Sequence, residues 1–145
     1  MSEAEPPVPL CFVDTNIWLY AFISGPDAAK SDLARQLLQD SEEALIVSSQ
    51  VINEVCVNLL KKAHVPETEI RELVRSFYRK YPVVLLDQEV EIGASELCER
   101  FSLSFWDSLI LSAAVHGDAT VLYSEGLQAG LQVDGRLVVR NPFLS

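Results

Sequence analysis

The chain has 145 residues, and its 11 Lys and Arg against 21 Asp and Glu give a formal net charge of −10. That length suits one domain with a real hydrophobic core, and a hydrophobic fraction of 49% excludes an intrinsically disordered protein. The acidity excludes a protein that coats DNA or RNA by neutralising many phosphates. It does not exclude an enzyme that meets nucleic acid through bound cations, which invert the local field.

The beginning of the chain and its cysteines indicate a cellular compartment. Residues 1–9 are acidic and proline-rich, and we expect a short disordered lead-in before one domain over residues 10–145. This lead-in lacks the basic and apolar regions of a signal peptide, and no apolar run approaches the ~20 residues that cross a bilayer. The three cysteines do not have metal-ligand spacing. We therefore expect a cytoplasmic protein with reduced thiols and no membrane contact.

Strands and helices alternate along the predicted fold. Short apolar, β-branched runs predict five strands, at residues 10–13, 44–47, 82–86, 119–123 and 136–139. Capping residues and helical periodicity predict helices after Asp27, from Ser48 or Ser49 to about Ala63, after Pro66, over Glu89–Phe101 and over Phe105–His116. In the first of these helices, we place Leu33, Leu37 and Leu38 on the inner face. The order predicts an α/β fold with a mainly parallel twisted sheet of about five strands and helices on both faces.

Four carboxylates stand alone in otherwise uncharged, apolar segments. They are Asp14 in residues 6–26, Glu54 in 44–60, Asp107 in 101–117 and Glu125 in 119–133. An unpaired carboxylate in a buried segment is costly, so each needs a basic partner, a backbone cap or a metal ion. For any one of these carboxylates, a helix cap or an arginine partner is as good an explanation as a metal ion. The four together favour a shared cation.

The predicted elements bring these carboxylates to one edge of the sheet. Asp14 ends the first strand and Glu125 follows the fourth, while Glu54 and Asp107 lie near the starts of helices. The carboxyl ends of parallel strands form the edge at which ligands bind. Carboxylates that converge repel one another unless a cation neutralises them, and oxygen ligands suit Mg²⁺ or Mn²⁺ rather than zinc.

Four segments in this order resemble the PIN domain family. They are Phe12-Val13-Asp14-Thr15-Asn16, Glu54 within 49–60, Trp106-Asp107-Ser108, and Tyr123-Ser124-Glu125-Gly126-Leu127-Gln128. The chain is most similar to the VapC-type toxin ribonucleases of type II toxin–antitoxin pairs. The likeness runs from about Leu10 to Phe143.

This resemblance implies a Mg²⁺- or Mn²⁺-dependent endoribonuclease that hydrolyses RNA phosphodiesters with a metal-activated water. The residues that match the family's catalytic and metal-binding acidic positions are Asp14, Glu54 and Asp107, and the polar positions beside them are matched by Thr15, Asn16 and Ser124. The resemblance also implies a homodimer and a separate antitoxin protein. The apolar segment Ile17–Ile23 offers a surface for such a partner.

One position departs from the family's pattern. The family has an aspartate two residues after the position of Ser124, where this chain has Gly126. Glu125 is a candidate replacement ligand if the loop turns its side chain inward, and otherwise a second metal position is weakened. The alternative function is a catalytically silent PIN-like binding module, which would not bind Mn²⁺ specifically.

Two further groups of residues have more than one interpretation. Arg71, Arg75 and Arg79 recur every four residues on one face of a predicted helix. They form either a stripe that steers RNA toward the acidic site or a solvated face paired with nearby glutamates. We interpret the aromatic residues Trp18, Phe22, Phe105 and Trp106 as core or dimer contacts, and the alternative is that they stack on RNA bases.

Overall fold

A computed structural model describes residues 9–144, so the predicted disordered lead-in lies outside it apart from Pro9. The strands are β1 (Leu10–Val13), β2 (Leu45–Ser48), β3 (Val83–Val84), β4 (Ala119–Tyr123), β5 (Gln132–Val133) and β6 (Leu137–Arg140). The helices are α1 (Thr15–Phe22), α2 (Ala28–Asp40), α3 (Ser49–Lys62), α4 (Glu67–Lys80), α5 (Gln88–Phe101) and α6 (Phe105–His116), with a short 3-10 helix at Glu42–Ala44. No helix between residues 9 and 144 is long and apolar enough to span a membrane.

The strands form one sheet in the order β3-β2-β1-β4-β6-β5. From β3 to β6 the neighbours pair in parallel, whereas β5 pairs antiparallel with β6. The predicted α/β fold with a mainly parallel sheet is confirmed. The expectation of about five strands omitted β5, because a two-residue strand is too short to show an alternating pattern.

Helices cover both faces of the sheet. Phe12 and Val13 are neighbours in β1, so their side chains point to opposite faces, and both are completely inaccessible to solvent. Val47 of β2 and Leu122 of β4 are equally buried. Continuous apolar strands of this kind are typical of a parallel sheet with both faces covered.

The start of α3 is set by Ser48. Its Oγ accepts a hydrogen bond from the backbone N–H of Val51 at 3.3 Å, which caps the helix. The neighbouring Ser49 Oγ instead accepts from the backbone N–H of Leu86 at 3.3 Å. The two candidate caps of the sequence therefore have different roles, and only Ser48 caps α3.

Helix α2 faces the core differently from the prediction. Leu33 is 49% exposed, whereas Ser31 and Ala34 are buried. Helix α2 packs against α1, and its fully buried positions carry small side chains rather than leucine. Leu37 and Leu38 are partly buried against the core, so the predicted inner face was wrong only for Leu33.

The aromatic residues divide between the core and the surface. Trp18 is buried, and its Nε1–H donates to the backbone carbonyl of Val13 at 3.1 Å. Phe22 is 43%, Phe105 45% and Trp106 67% exposed. A place in the core is therefore wrong for Phe105 and Trp106, and a dimer contact or base stacking is left as the interpretation of these two residues.

Candidate functional site

The strand order reverses at β1, whose neighbours β2 and β4 lead to opposite halves of the sheet. Such a reversal opens a crevice beyond the carboxyl ends of the strands, where ligands bind in α/β folds. Asp14 follows β1 and Ser124 follows β4, so both residues lie at this crevice. Because α6 leads into β4, which is parallel to β1, α6 begins at the same edge.

The Asp14 carboxylate is held on both oxygens. Ser124 Oγ donates to Oδ2 at 2.8 Å, and the backbone N–H of Thr15 donates to Oδ1 at 2.7 Å. Burial raises the pKa of Asp14, and the charges of Glu54 and Asp107 raise it further, against the lowering effect of the two hydrogen bonds. Asp14 is thus close enough to Glu54 and to Asp107 to be repelled by both.

Glu54, in the second turn of α3, is partly buried and linked to α1. Its Oε2 accepts a hydrogen bond from Thr15 Oγ1 at 2.9 Å, and its Oε1 accepts one from Gln50 Nε2 at 2.7 Å. Thr15 therefore serves two carboxylates, since its backbone binds Asp14 and its hydroxyl binds Glu54.

Asp107 lies in the first turn of α6, and its side chain is exposed. Its backbone N–H donates to the capping hydroxyl of Ser104 at 3.1 Å. A negative charge is favourable at this end of a helix because the helix dipole is positive there. Because α6 begins at the edge of the sheet where β1 ends, Asp107 lies at the same edge as Asp14 and Glu54.

A metal ion at this edge would be only partly enclosed by protein. Between residues 9 and 144 no three His, Cys, Asp or Glu side chains are arranged to hold one ion directly. Mg²⁺ tolerates this, because it keeps several waters and binds through one or two carboxylates plus substrate phosphates. Among residues 9–144, the side-chain oxygen Asn16 Oδ1 is buried without a hydrogen-bond partner, and a hydrated cation or its waters would satisfy this atom. The all-oxygen donor set fits a hydrated divalent cation.

Gly126 leaves space at the position where the family has an aspartate. A Cβ at this exposed residue would lie 3.8 Å from Asn16 Nδ2, an ordinary van der Waals contact. Its φ is not among the positive values of the described residues, so a larger side chain is not strained there. Packing does not explain the glycine.

Glu125 follows Ser124, but its carboxylate has partners on other elements. Lys30 Nζ donates to Oε2 at 2.5 Å, and Tyr20 Oη donates to Oε1 at 2.7 Å. Partial burial acts to raise the pKa of Glu125, but the hydrogen bonds from Lys30 and Tyr20 outweigh it and lower that pKa overall. The structure thus ties Glu125 to α1 and α2 and does not bring it together with Asp14.

The three arginines of α4 are exposed, and Arg75 forms an ion pair with Glu72. In the part of the chain described by the structure, no hydrogen bond or ion pair joins Arg71, Arg75 or Arg79 to the acidic residues of the crevice.

Gln50 lies beside Glu54 in the crevice but was not among the predicted site residues. Its only signal was a polar residue four positions before Glu54 on a helix.

Comparisons with known proteins agree with this architecture. The profile of the PIN domain matches residues 11–128, whereas direct comparison with curated proteins gives no significant match. A toxin–antitoxin complex from Klebsiella pneumoniae has a TM-score of 0.68 at 20% identity, covering 92% of this chain and 98% of the other. VapC20 from Mycobacterium tuberculosis, a sarcin–ricin loop cleaving toxin, has a TM-score of 0.64 at 18% identity, covering 77% and 86%. VapBC2 from Rickettsia felis, bound to a promoter DNA fragment, has a TM-score of 0.63 at 19% identity, covering 91% and 98%.

At these identities the solved structures show a shared fold. The family profile goes further, because it spans all four segments that carry the acidic and polar residues of the crevice. The chain therefore belongs to the PIN domain family.

Proposed function

We propose that this protein is a Mg²⁺- or Mn²⁺-dependent endoribonuclease and the toxin of a toxin–antitoxin pair. One observation carries the proposal: hydrogen bonds run from Ser124 through Asp14 and Thr15 to Glu54 at the crevice. This arrangement fixes two carboxylates beside a third, Asp107. Similarity to a toxin described as cleaving the sarcin–ricin loop supports RNA as the substrate.

The residues of the crevice have distinct tasks in this proposal. Asp14 holds the cation through a carboxylate whose orientation is fixed by Ser124 and by the Thr15 backbone. Glu54 and Asp107 add the negative charge that retains the ion, directly or through its waters. A bound divalent ion supplies an activated water and offsets charge on the phosphate. None of these tasks needs a histidine or cysteine nucleophile.

The test is cleavage of single-stranded RNA by the purified chain. We expect cleavage with Mg²⁺ or Mn²⁺, none with chelator, and almost none from Asp14→Asn. Equal cleavage by parent and Asp14→Asn would indicate a contaminating nuclease. If calorimetry with Mn²⁺ detects no binding and no RNA is cut, the protein is instead a catalytically silent PIN-like binding module, which the glycine at position 126 would explain.

We propose that the antitoxin docks in an apolar groove of about 340 Å³ between α1, α2 and α4. Its lining includes the aromatic side chains of Trp18, Phe22 and Phe77. The charged residues that line it are Arg35, Lys80 and Glu42, so basic groups outnumber acidic ones there. This surface suits an apolar segment with acidic residues. The segment Ile17–Ile23 contributes Trp18, Ala21 and Phe22 to the groove, whereas Ile17 itself is buried. The similar structures from Klebsiella and Rickettsia are themselves complexes of this kind.

We propose that the protein acts in the cytoplasm. Partner binding is tested by co-expressing the chain there with the product of the adjacent reading frame. We expect the two chains to co-purify, and Phe22→Asp to abolish this without loss of RNA cleavage.

We also propose a homodimer through the exposed Phe105 and Trp106. A sedimentation mass of one chain at micromolar concentration would contradict it.

A further inference from the structure

Gln50 joins two of the three acidic elements. Its side chain, in the first turn of α3, is only 4% exposed. Its Nε2 donates to Glu54 Oε1 at 2.7 Å and to the backbone carbonyl of Trp106 at 3.3 Å. Trp106 directly precedes Asp107 in the first turn of α6. One amide nitrogen therefore links the Glu54 carboxylate to the backbone that carries Asp107.

The orientation of this amide follows from the chemistry of its partners. An ionised carboxylate and a backbone carbonyl are both acceptors, so the NH₂ end of Gln50 must face them. The carbonyl end is left buried, and Gln50 Oε1 has no hydrogen-bond partner among residues 9–144. A buried, unpaired oxygen destabilises a fold. Gln50 thus carries a cost to stability while it orients a carboxylate, a combination expected at a functional site.

Gln50 completes a continuous series of hydrogen bonds across three helices. Asp14 and Glu54 are joined through Thr15, and Gln50 extends the connection from Glu54 to α6. Without Gln50, Glu54 keeps only the bond from Thr15 among those formed by its carboxylate. The start of α6 would also lose this bond to α3.

We propose that Gln50 is a positioning residue, which holds Glu54 at the spacing from Asp107 that a divalent cation requires. This inference rests on the proposed function. Gln50 contacts neither the ion nor the RNA in this account, and it acts by fixing the Glu54 side chain and the first turn of α6. Residues that orient metal ligands in this way typically change metal affinity by about 10–100-fold when replaced.

The experiment measures Mn²⁺ affinity by calorimetry and thermal unfolding in chelator for three variants and the parent. Gln50→Met keeps the length of the side chain without its amide, and Gln50→Asn keeps an amide that is too short to reach both partners. The matched control is Gln36→Met, because Gln36 also donates to a carboxylate four residues ahead, Asp40, at 2.8 Å on the exposed side of α2.

We expect both Gln50 variants to bind Mn²⁺ about 10-fold or more weakly. Gln50→Met should not lower the unfolding temperature in chelator, since it removes the unpaired oxygen. Excess Mn²⁺ should restore most of kcat in both variants, and Gln36→Met should match the parent in affinity.

A Gln50→Met variant that unfolds at lower temperature but binds Mn²⁺ like the parent would assign the residue a merely structural role and overturn the inference. If Gln50→Met does not fold, the same decision rests on Gln50→Asn. Absence of Mn²⁺ binding by the parent would instead overturn the proposed function and this inference together. Mn²⁺ binding by the parent therefore distinguishes a failure of the proposed function from a failure of the inference about Gln50.

Discussion

Ser124 Oγ donates a hydrogen bond to Asp14 Oδ2 at 2.8 Å, across the two strands at the centre of the sheet. The contact follows from strand register, because Val13 lies opposite Tyr123 in the parallel pair and each residue is followed by one partner of this bond. Ser124 is completely buried, and its Oγ also accepts from the backbone N–H of Leu127 at 3.1 Å. One hydroxyl therefore fixes both a carboxylate and the loop after β4.

We expect Asp14→Asn to remove Mn²⁺ binding and cleavage, and to make the metal-free protein more stable at neutral pH. Burial and the charges of Glu54 and Asp107 disfavour the ionised Asp14 side chain. Asparagine keeps an oxygen for the Thr15 backbone bond and removes the charge. The loss of activity should exceed the about 10–100-fold typical of a residue that only orients a ligand. RNA cleavage and urea unfolding in chelator measure the two effects.

The same shift predicts how stability varies with pH. A carboxyl group whose pKa is raised on folding binds its proton more tightly in the folded state, so it favours folding as the pH falls. The contribution of Asp14 to metal-free stability should therefore decrease as the pH rises from about 3.9, the ordinary pKa of aspartate, through the raised pKa of Asp14. Urea unfolding over this interval should show that Asp14→Asn gains stability relative to the parent as the pH rises. An identical slope in parent and variant would contradict the assignment to Asp14.

We expect Gly126→Asp to tighten Mn²⁺ binding several-fold and to raise the rate of RNA cleavage. The added side chain points toward Asn16 without a clash, and it supplies a charged oxygen ligand at the edge of the crevice. Gly126→Asn is the matched control, because it has the same size without the charge. Calorimetry with Mn²⁺ compares the three proteins. Equal affinity for the aspartate and asparagine variants would contradict a role for charge at this position.

We expect Glu125→Gln to reduce stability slightly while leaving Mn²⁺ affinity close to that of the parent. The carboxylate binds Lys30 and Tyr20, and both it and Lys30 are partly solvent-exposed, so screening keeps the contribution small. The pKa of Glu125 is lowered on folding, which means that its stabilisation is present above the ordinary glutamate pKa of about 4.3 and is lost at lower pH. The difference in Tm between parent and variant should shrink on acidification. A loss of Mn²⁺ affinity as large as that of Asp14→Asn would identify Glu125 as a ligand.

If the arginines of α4 steer RNA, replacing Arg71 and Arg79 with glutamine should raise KM for RNA and leave kcat unchanged. Each phosphate contact that is lost should reduce the salt dependence of binding, with a slope change of about 0.7 for single strands. Arg75→Gln should have less effect, because Arg75 is paired with Glu72. Arg136→Gln is the control, since that exposed arginine pairs with Asp118. Unchanged KM and salt dependence would leave these residues as a solvated face.

The alternation of strands and helices along the chain was enough to predict an α/β fold with a mainly parallel sheet. It also predicted the edge at which Asp14, Glu54 and Asp107 lie, because the carboxyl ends of parallel strands meet at one edge. Features that depend on side-chain direction were not predictable. Leu33 is exposed while the smaller Ser31 and Ala34 are buried, so the inward face of α2 does not follow from hydrophobicity alone.

The local sequence also did not predict two polar contacts, those of Glu125 and Gln50. Glu125 could point either way from its loop, and its direction is decided by Lys30 and Tyr20, which lie on two helices far away in the sequence. Gln50 becomes notable only when α6 is known to lie beside α3. Both contacts join residues that are far apart in the chain, so periodicity carries no information about them.

The sheet ends on both sides in a strand of only two residues, β3 at one margin and β5 at the other. A long outer strand offers unpaired backbone groups to which another chain can add, and very short outer strands limit this route to aggregation. We therefore expect concentrated protein to resist fibre formation even when its partner has been removed. Association with other chains is then expected to use side-chain contacts more than backbone pairing at the margins of the sheet.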